Sequence, residues 1–174
     1  IKKRDLRRNI AVVLQDVFLF SGDIKKNITL NEEMSDEHVI RALEAACASD
    51  FVSGFPGGIY EPVMERGSTF SAGQRQLLSF ARAIAHNPSV FVLDEATANI
   101  DTQTEKLIQK AIENVTKGRT TLVIAHRLST IRNADKIIVM HEGKIESMGD
   151  HNTLIAKSPI YREIYQSQLK GVAM

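Results

Sequence analysis

The sequence predicts an α/β fold: short buried strands with helices packed around them, and a mainly helical stretch inserted after the first strand. Three observations carry that expectation. Apolar runs of strand length lie at residues 10–14 (IAVVL), 90–93 (VFVL) and 120–125 (TTLVIA), and each ends on a polar side chain: Gln15, Asp94 followed by Glu95, and His126. Between the runs, apolar residues recur at i, i+3, i+4 and i+7, the period of a helix with one buried face. Residues 23–70 read as helices broken by loops, with no clear strand.

Residues 1–9 carry Lys2, Lys3, Arg4, Arg7 and Arg8. Without interleaved aromatic side chains they read as a solvated helix end, not as an arm for nucleic acid or lipid. The run at 10–14 reads as a buried strand, and the apolar loop DVFLFSG after Gln15 is unusual for chain facing water. Ser35 caps a helix whose first turn holds Asp36 and Glu37, favourable at the positive end of the helix dipole. Val39, Leu43 and Ala46 form its buried stripe. A short helix over 49–55 ends at Pro56-Gly57-Gly58; the double glycine lacks a G-x-x-x-x-G-K-[ST] frame and reads as a turn. Ser71 and Gln74 have the S-x-x-Q spacing of a capping box, so the next helix starts after Ser71. Leu77, Phe80, Ala81 and Ile84 are its buried stripe, and Asn87-Pro88 ends it. The run at 90–93 reads as a strand covered on both faces. Asp101 caps a helix over 102–116 with Leu107, Ile108, Ala111, Ile112 and Val115 on its buried face. Strands at 136–140 and 144–146 flank a hairpin turn at Glu142-Gly143. Asp150 caps a helix to about Lys157, and Pro159 opens a final amphipathic helix.

The chemistry gathers at the strand ends, where open α/β sheets bind their ligands. Asp94 suits a Mg²⁺ ion held through water, because Mg²⁺ dehydrates reluctantly. Glu95 suits a general base that polarises water for attack on a phosphoryl group, a role contributing roughly 10²–10⁴-fold. On these residues alone, a pair that merely caps the next element is an equal alternative. The helix start at Ser71-Ala72-Gly73-Gln74 adds an anion site, with free N–H groups and the positive end of the dipole. By itself Gln15 reads as a turn residue, and Asp101 as a cap. His38, His86, His141 and His151 read as ordinary satisfied histidines; His126 differs by standing at a third strand end. No Cys/His spacing suggests zinc.

FSAGQRQ at 70–76 followed by VFVLDEATANID at 90–101 resembles the signature motif, Walker B strand and D-loop of an ATP-binding-cassette (ABC) nucleotide-binding domain, more narrowly of the multidrug-exporter type. The resemblance extends over essentially all 174 residues. It implies a P-loop NTPase-like core with a parallel sheet from residues 1–19 and 87–174, and a helical signature subdomain over 20–86. VLQDVFLF resembles the Q-loop, which implies that Gln15 senses metal and attacking water and that Phe18 and Phe20 lie near the coupling helix of the transmembrane domains. HRLST resembles the H-loop, which implies that His126 holds the γ-phosphate and orients the water. Glu65 in VMERG becomes a candidate contact to the transmembrane domains, with an ordinary surface salt bridge as a close rival. Ser71, Ala72, Gly73 and Gln74 would serve the ATP of a second cassette, and Asp101 would cross to that partner. ATP and Mg²⁺ are the implied ligands, Asp94 and Gln15 the metal-binding residues, and the cytoplasmic face of the cell membrane the implied place. The transmembrane domains belong to the same or a partner chain. Ala72 departs from the family's LSGGQ, as in exporters built from two different half-transporters, so a heterodimer is expected.

Bulk properties are compatible with this. A chain of 174 residues, 43% apolar, suffices for one substantial domain. A net charge of +1 gives no general attraction to nucleic acid, and none is expected as a partner. Cys47, the single cysteine, excludes an internal disulfide and suits a reducing compartment. No run approaches the roughly 18 apolar residues of a membrane span. The Walker A loop is missing; in the family it precedes the Q-loop. The chain is therefore expected to be the C-terminal two-thirds or so of a cassette, inactive alone, lacking a central strand between 120–125 and 136–140. A soluble ABC ATPase of DNA repair or translation is one alternative, disfavoured by the exporter-like Q-loop, EATANID and HRLST. A non-catalytic regulatory remnant is another, disfavoured by intact Glu95 and His126 and favoured by the missing Walker A loop.

Overall fold

The computed structural model describes residues 2–94, 100–125 and 128–172; Glu95 and His126 lie outside the described residues. The chain forms two compact units, Ile1–Ile124 and Ala125–Met174.

In the first unit the basic helix α1 (Lys3–Asn9) buries none of its residues and leads into β1 (Ile10–Val13). β1 pairs in parallel with β4 (Val90–Asp94), and β4 in parallel with β5 (Thr120–Ile124), giving the order β1-β4-β5. Parallel neighbours need long crossovers. The one from β1 to β4 contains β2 (Gly22–Asp23), α2 (Ile24–Thr29), α3 (Asp36–Ala45), α4 (Ser49–Ser53), β3 (Pro62–Val63) and α5 (Ala72–Ala85). The one from β4 to β5 contains α6 (Thr102–Thr116). The expected caps are present: the Ser35 hydroxyl accepts from His38 N–H at 3.3 Å, and α5 and α6 begin directly after Ser71 and Asp101. The expectation of no strand in 23–70 needs a small correction. β2 and β3 form an antiparallel ladder of two residues each, too short to leave a periodic signal.

The core of this unit joins Val39, Leu43 and Ala46 of the α3 segment to Leu77, Phe80 and Ala81 of α5 and to Ile108, Ala111, Ile112 and Val115 of α6. Leu107, expected in that face, is 36% exposed. The four buried positions already complete one i, i+3, i+4, i+7 stripe, which leaves Leu107 at its edge. A larger correction concerns the sheet. Val13, Phe91 and Leu93 are buried, but Val12, Leu14, Leu122 and Ile124 are 52–56% exposed. Val12 stands opposite Val92, and Val92 opposite Leu122, so these side chains share one face. On that face Val90 and Val92 of the central strand are half-buried, so the run at 90–93 is fully covered on one face and only partly on the other. An unbroken apolar run shows that both faces prefer burial, not what covers each of them.

The second unit holds α7 (Leu128–Arg132), the hairpin β6 (Ile137–His141) and β7 (Lys144–Gly149), α8 (His151–Lys157) and α9 (Pro159–Val172). Glu142 and Gly143 have φ of 49° and 75°, the left-handed pair that a tight hairpin turn requires. Asp150 caps α8 through Thr153 N–H at 2.8 Å. Ile131, Val139, Leu154 and Tyr161 form a small core of their own. No helix among them is long and apolar enough to cross a membrane.

Candidate functional site

The parallel pairing of β1 with β4 sets their C-terminal ends side by side, with Val13 opposite Leu93. Asp94 closes β4 and Gln15 lies two residues beyond β1, so two of the expected site residues come to the same edge of the sheet. Asp94 is half-buried, in register with Ile124 of β5. The described residues contain no cluster of three or more His, Cys, Asp or Glu able to hold a metal ion. A lone described carboxylate fits Mg²⁺, which commonly takes only one or two protein oxygens and completes its octahedron with water and phosphate. It does not fit a fully protein-caged metal.

Gln15 faces the other motif. With Asp16, Val17, Ala72, Arg75, Gln76 and Ile100 it lines a cavity of about 180 Å³. One wall is therefore the loop after β1, and another is the first turn of α5. That turn is a complete capping box: Ser71 Oγ accepts from Gln74 N–H at 3.2 Å, and Gln74 Oε1 accepts from Ser71 N–H at 2.9 Å. The box uses the Gln74 side chain, and among the described residues nothing accepts from the N–H groups of Ala72 and Gly73 at the positive end of this 14-residue helix. Ser71 and Ala72 are exposed, and Gly73 is buried.

Gly73 is glycine for a packing reason that the sequence does not announce. A Cβ built there would lie 2.1 Å from Thr104 Cγ2 and 3.4 Å from Ile100 Cγ2. The first turn of α5 thus rests directly on the first turn of α6. Thr104 has a second task. Asp101 accepts from Gln103 N–H at 3.1 Å and Thr104 N–H at 2.9 Å. The Thr104 hydroxyl, then its N–H, hold the Asp101 carboxyl below the usual carboxylate range. One threonine therefore joins the α5 start to the Asp101 cap, and sequence reading missed it because its contacts are tertiary. Glu65 lies in a single 3-10 turn, Glu65–Gly67, in which Arg66 has a φ of 58°. Gly67, at φ 64°, sits where a Cβ would meet Leu19 Cδ1 at 2.7 Å, which ties that turn to the loop after Gln15.

The family model described as ABC transporter matches residues 1–98 of this sequence. The chain belongs to the ABC transporter family. It is 50% identical over 169 residues to the probable multidrug resistance ABC transporter ATP-binding/permease protein YheH of Bacillus subtilis strain 168, a match covering 97% of this chain and 25% of that protein. It is 45% identical over 169 residues to the ATP-dependent lipid A-core flippase of Chromobacterium violaceum, covering 97% of this chain and 29% of the flippase. Among solved structures, that of a bacterial Atm1-family ABC exporter with ATP bound superposes with a TM-score of 0.86 at 36% identity, over 97% of this chain and 30% of that one. The chain thus spans 25–30% of the length of these relatives. In this ABC fold, Gln15, Asp94, Ser71–Gln74 and Asp101 occupy the places described above, while Glu95 and His126 fall outside the described residues.

Proposed function

We propose that this chain is part of the ATPase domain of an ABC exporter, hydrolysing MgATP at an interface between two cassettes on the cytoplasmic face of the cell membrane. The observation that carries this reading is Asp94, a half-buried carboxylate closing a parallel strand beside the strand that leads to Gln15. Asp94 and Gln15 would hold Mg²⁺ through water, and the ion, when bound, supplies charge stabilisation at the phosphate oxygens. Glu95, one residue further, takes the proton of the attacking water. His126 orients that water and donates to the γ-phosphate. The free N–H groups of the α5 start and the Ser71 hydroxyl serve the nucleotide held by the second cassette, and Asp101 reaches across to that cassette.

In this reading residues 20–86 form the signature-bearing subdomain, inserted between 1–19 and 87–174 of the core. The transmembrane domains, in the same or a partner chain, select the exported substrate. Ala72 puts a methyl where the family's usual glycine permits the closest approach of backbone to phosphate. That weakens one of two ATP sites, and it suits a heterodimer with unequal sites. The test uses the full-length transporter in lipid. Its ATPase activity is expected to require Mg²⁺, and Asp94→Asn should lower turnover at least tenfold at saturating nucleotide, about 1.4 kcal/mol of barrier. Unchanged turnover and Mg²⁺ dependence in Asp94→Asn would refute the assignment.

A further inference from the structure

The exposed loop after β1 is held from beneath by two polar side chains that none of the motifs includes. Asn27, in α2, is 1% exposed. Its Oδ1 accepts from Phe20 N–H at 2.8 Å, and its Nδ2 donates to Phe20 O at 2.8 Å and to Asp23 O at 3.0 Å. Asn27 therefore satisfies both main-chain groups of Phe20, as a neighbouring strand would. Arg82, in α5, completes the arrangement. Its Nε donates to Asn27 O at 2.8 Å, one terminal nitrogen to Asn27 Oδ1 at 3.2 Å, and the other to Phe18 O at 3.2 Å. Its guanidinium also lies 5.8 Å from the centre of the Phe20 ring.

The result is an edge braced by hydrogen bonds from α2 and α5. Phe18 and Phe20 are 50% and 53% exposed and meet edge to face at 5.1 Å, while Leu19 between them is fully buried. Among the described residues no carboxylate pairs with Arg82, whose charge is met by carbonyl oxygens, an amide oxygen and a ring face. Burial pushes its pKa down. Holding a cation there is costly without full hydrogen bonding, and a planar fork reaches three acceptors on two segments where an ammonium cannot.

We propose that Arg82 and Asn27 are positioning residues that lock the Phe18–Phe20 edge to α5, so that movement of the signature-bearing helix is delivered as one piece to the transmembrane part of the transporter seated on that edge. The inference rests on the export reading above. The occupant is the transmembrane part because the matched relative named an ATP-binding/permease protein is about four times the length of its match to this chain.

The experiment is hydrogen–deuterium exchange on the full-length transporter, with and without ATP plus vanadate. In Arg82→Lys, amides of residues 17–21 should exchange about tenfold faster without nucleotide, the size expected for one lost charge-assisted hydrogen bond. The nucleotide response of residues 70–77 should persist, while the response of the transmembrane peptides should fall several-fold. Phe18→Ala with Phe20→Ala removes the edge and the ring under Arg82 but keeps the main-chain hydrogen bonds of the clamp; it should give the same loss, and adding Arg82→Lys should add nothing further. A full transmembrane response in either variant would overturn the proposal. So would a parallel fall in the response of 70–77 and in melting temperature, which marks a merely stabilising residue. If the unmodified transporter shows no response to ATP plus vanadate, the export reading fails instead, and exchange of 17–21 without nucleotide still decides whether Arg82 holds the edge.

Discussion

Replacing Gly73 with alanine isolates the contact between the signature helix and α6. The new Cβ would sit 2.1 Å from Thr104 Cγ2, about 1.4 Å short of carbon–carbon contact distance. Thr104 cannot turn away freely, because its hydroxyl and N–H hold Asp101. Overpacking of this kind costs about 1–3 kcal/mol. The helix preference of alanine over glycine offsets at most about 1 kcal/mol, and less in a first turn. A net loss of about 1–2 kcal/mol is expected. Thr104→Ser deletes the clashing methyl but keeps the hydroxyl, at a cost of about 1 kcal/mol. The double variant should be no less stable than Thr104→Ser alone, a coupling of about 1 kcal/mol or more. Thermal unfolding of the intact cassette reads this directly, at about 2–4 °C per kcal/mol for a domain of this size. If Gly73→Ala melts with the parent protein, or if Thr104→Ser gives no rescue, the packing account of Gly73 is wrong.

Two further predictions concern charge and assembly. The Asp101 carboxyl is held below its usual value by Thr104. Its contribution to stability is therefore complete above the unfolded-state pKa of about 3.9 and is lost as pH falls through the lower folded-state value. Acid titration of the intact cassette should show a smaller loss of stability below about pH 4 in Asp101→Asn than in the parent; identical profiles would contradict the cap's role. Native mass spectrometry of the transporter from its own membrane should find this chain paired with a different cassette. A complex of two copies of this chain and no other cassette would refute the heterodimer.

Much of this structure was readable where a residue acts on its near neighbours. The Ser71–Gln74 box, the Asp101, Ser35 and Asp150 caps and the left-handed Glu142–Gly143 turn all depend on groups within four residues, so spacing alone identifies them. The strand-end placement of Gln15 and Asp94 was equally accessible, because an apolar run followed by a polar residue marks both a strand and its end. What spacing could not show was long-range. Arg82 sits between Ala81 and Ala83 and reads as a surface cation, yet its acceptors lie 55 and 64 residues away. Thr104 reads as an ordinary first-turn residue until α5 is laid against it. The open face of Val12, Leu14, Leu122 and Ile124 was hidden for the opposite reason: apolar composition states a preference for cover, not its source.

We propose that Glu95, the residue after Asp94, is the base that activates water for ATP hydrolysis. Glu95→Gln in the full-length transporter keeps the side chain's shape and removes its basicity, so bound nucleotide should remain while hydrolysis slows strongly. Single-turnover measurement with radiolabelled ATP and Mg²⁺ tests this most directly. The variant is expected to retain unhydrolysed ATP at near-parent affinity, with the chemical step slowed by roughly 10²-fold or more. A variant that cleaves ATP at the parent rate, with product release unchanged, would contradict it.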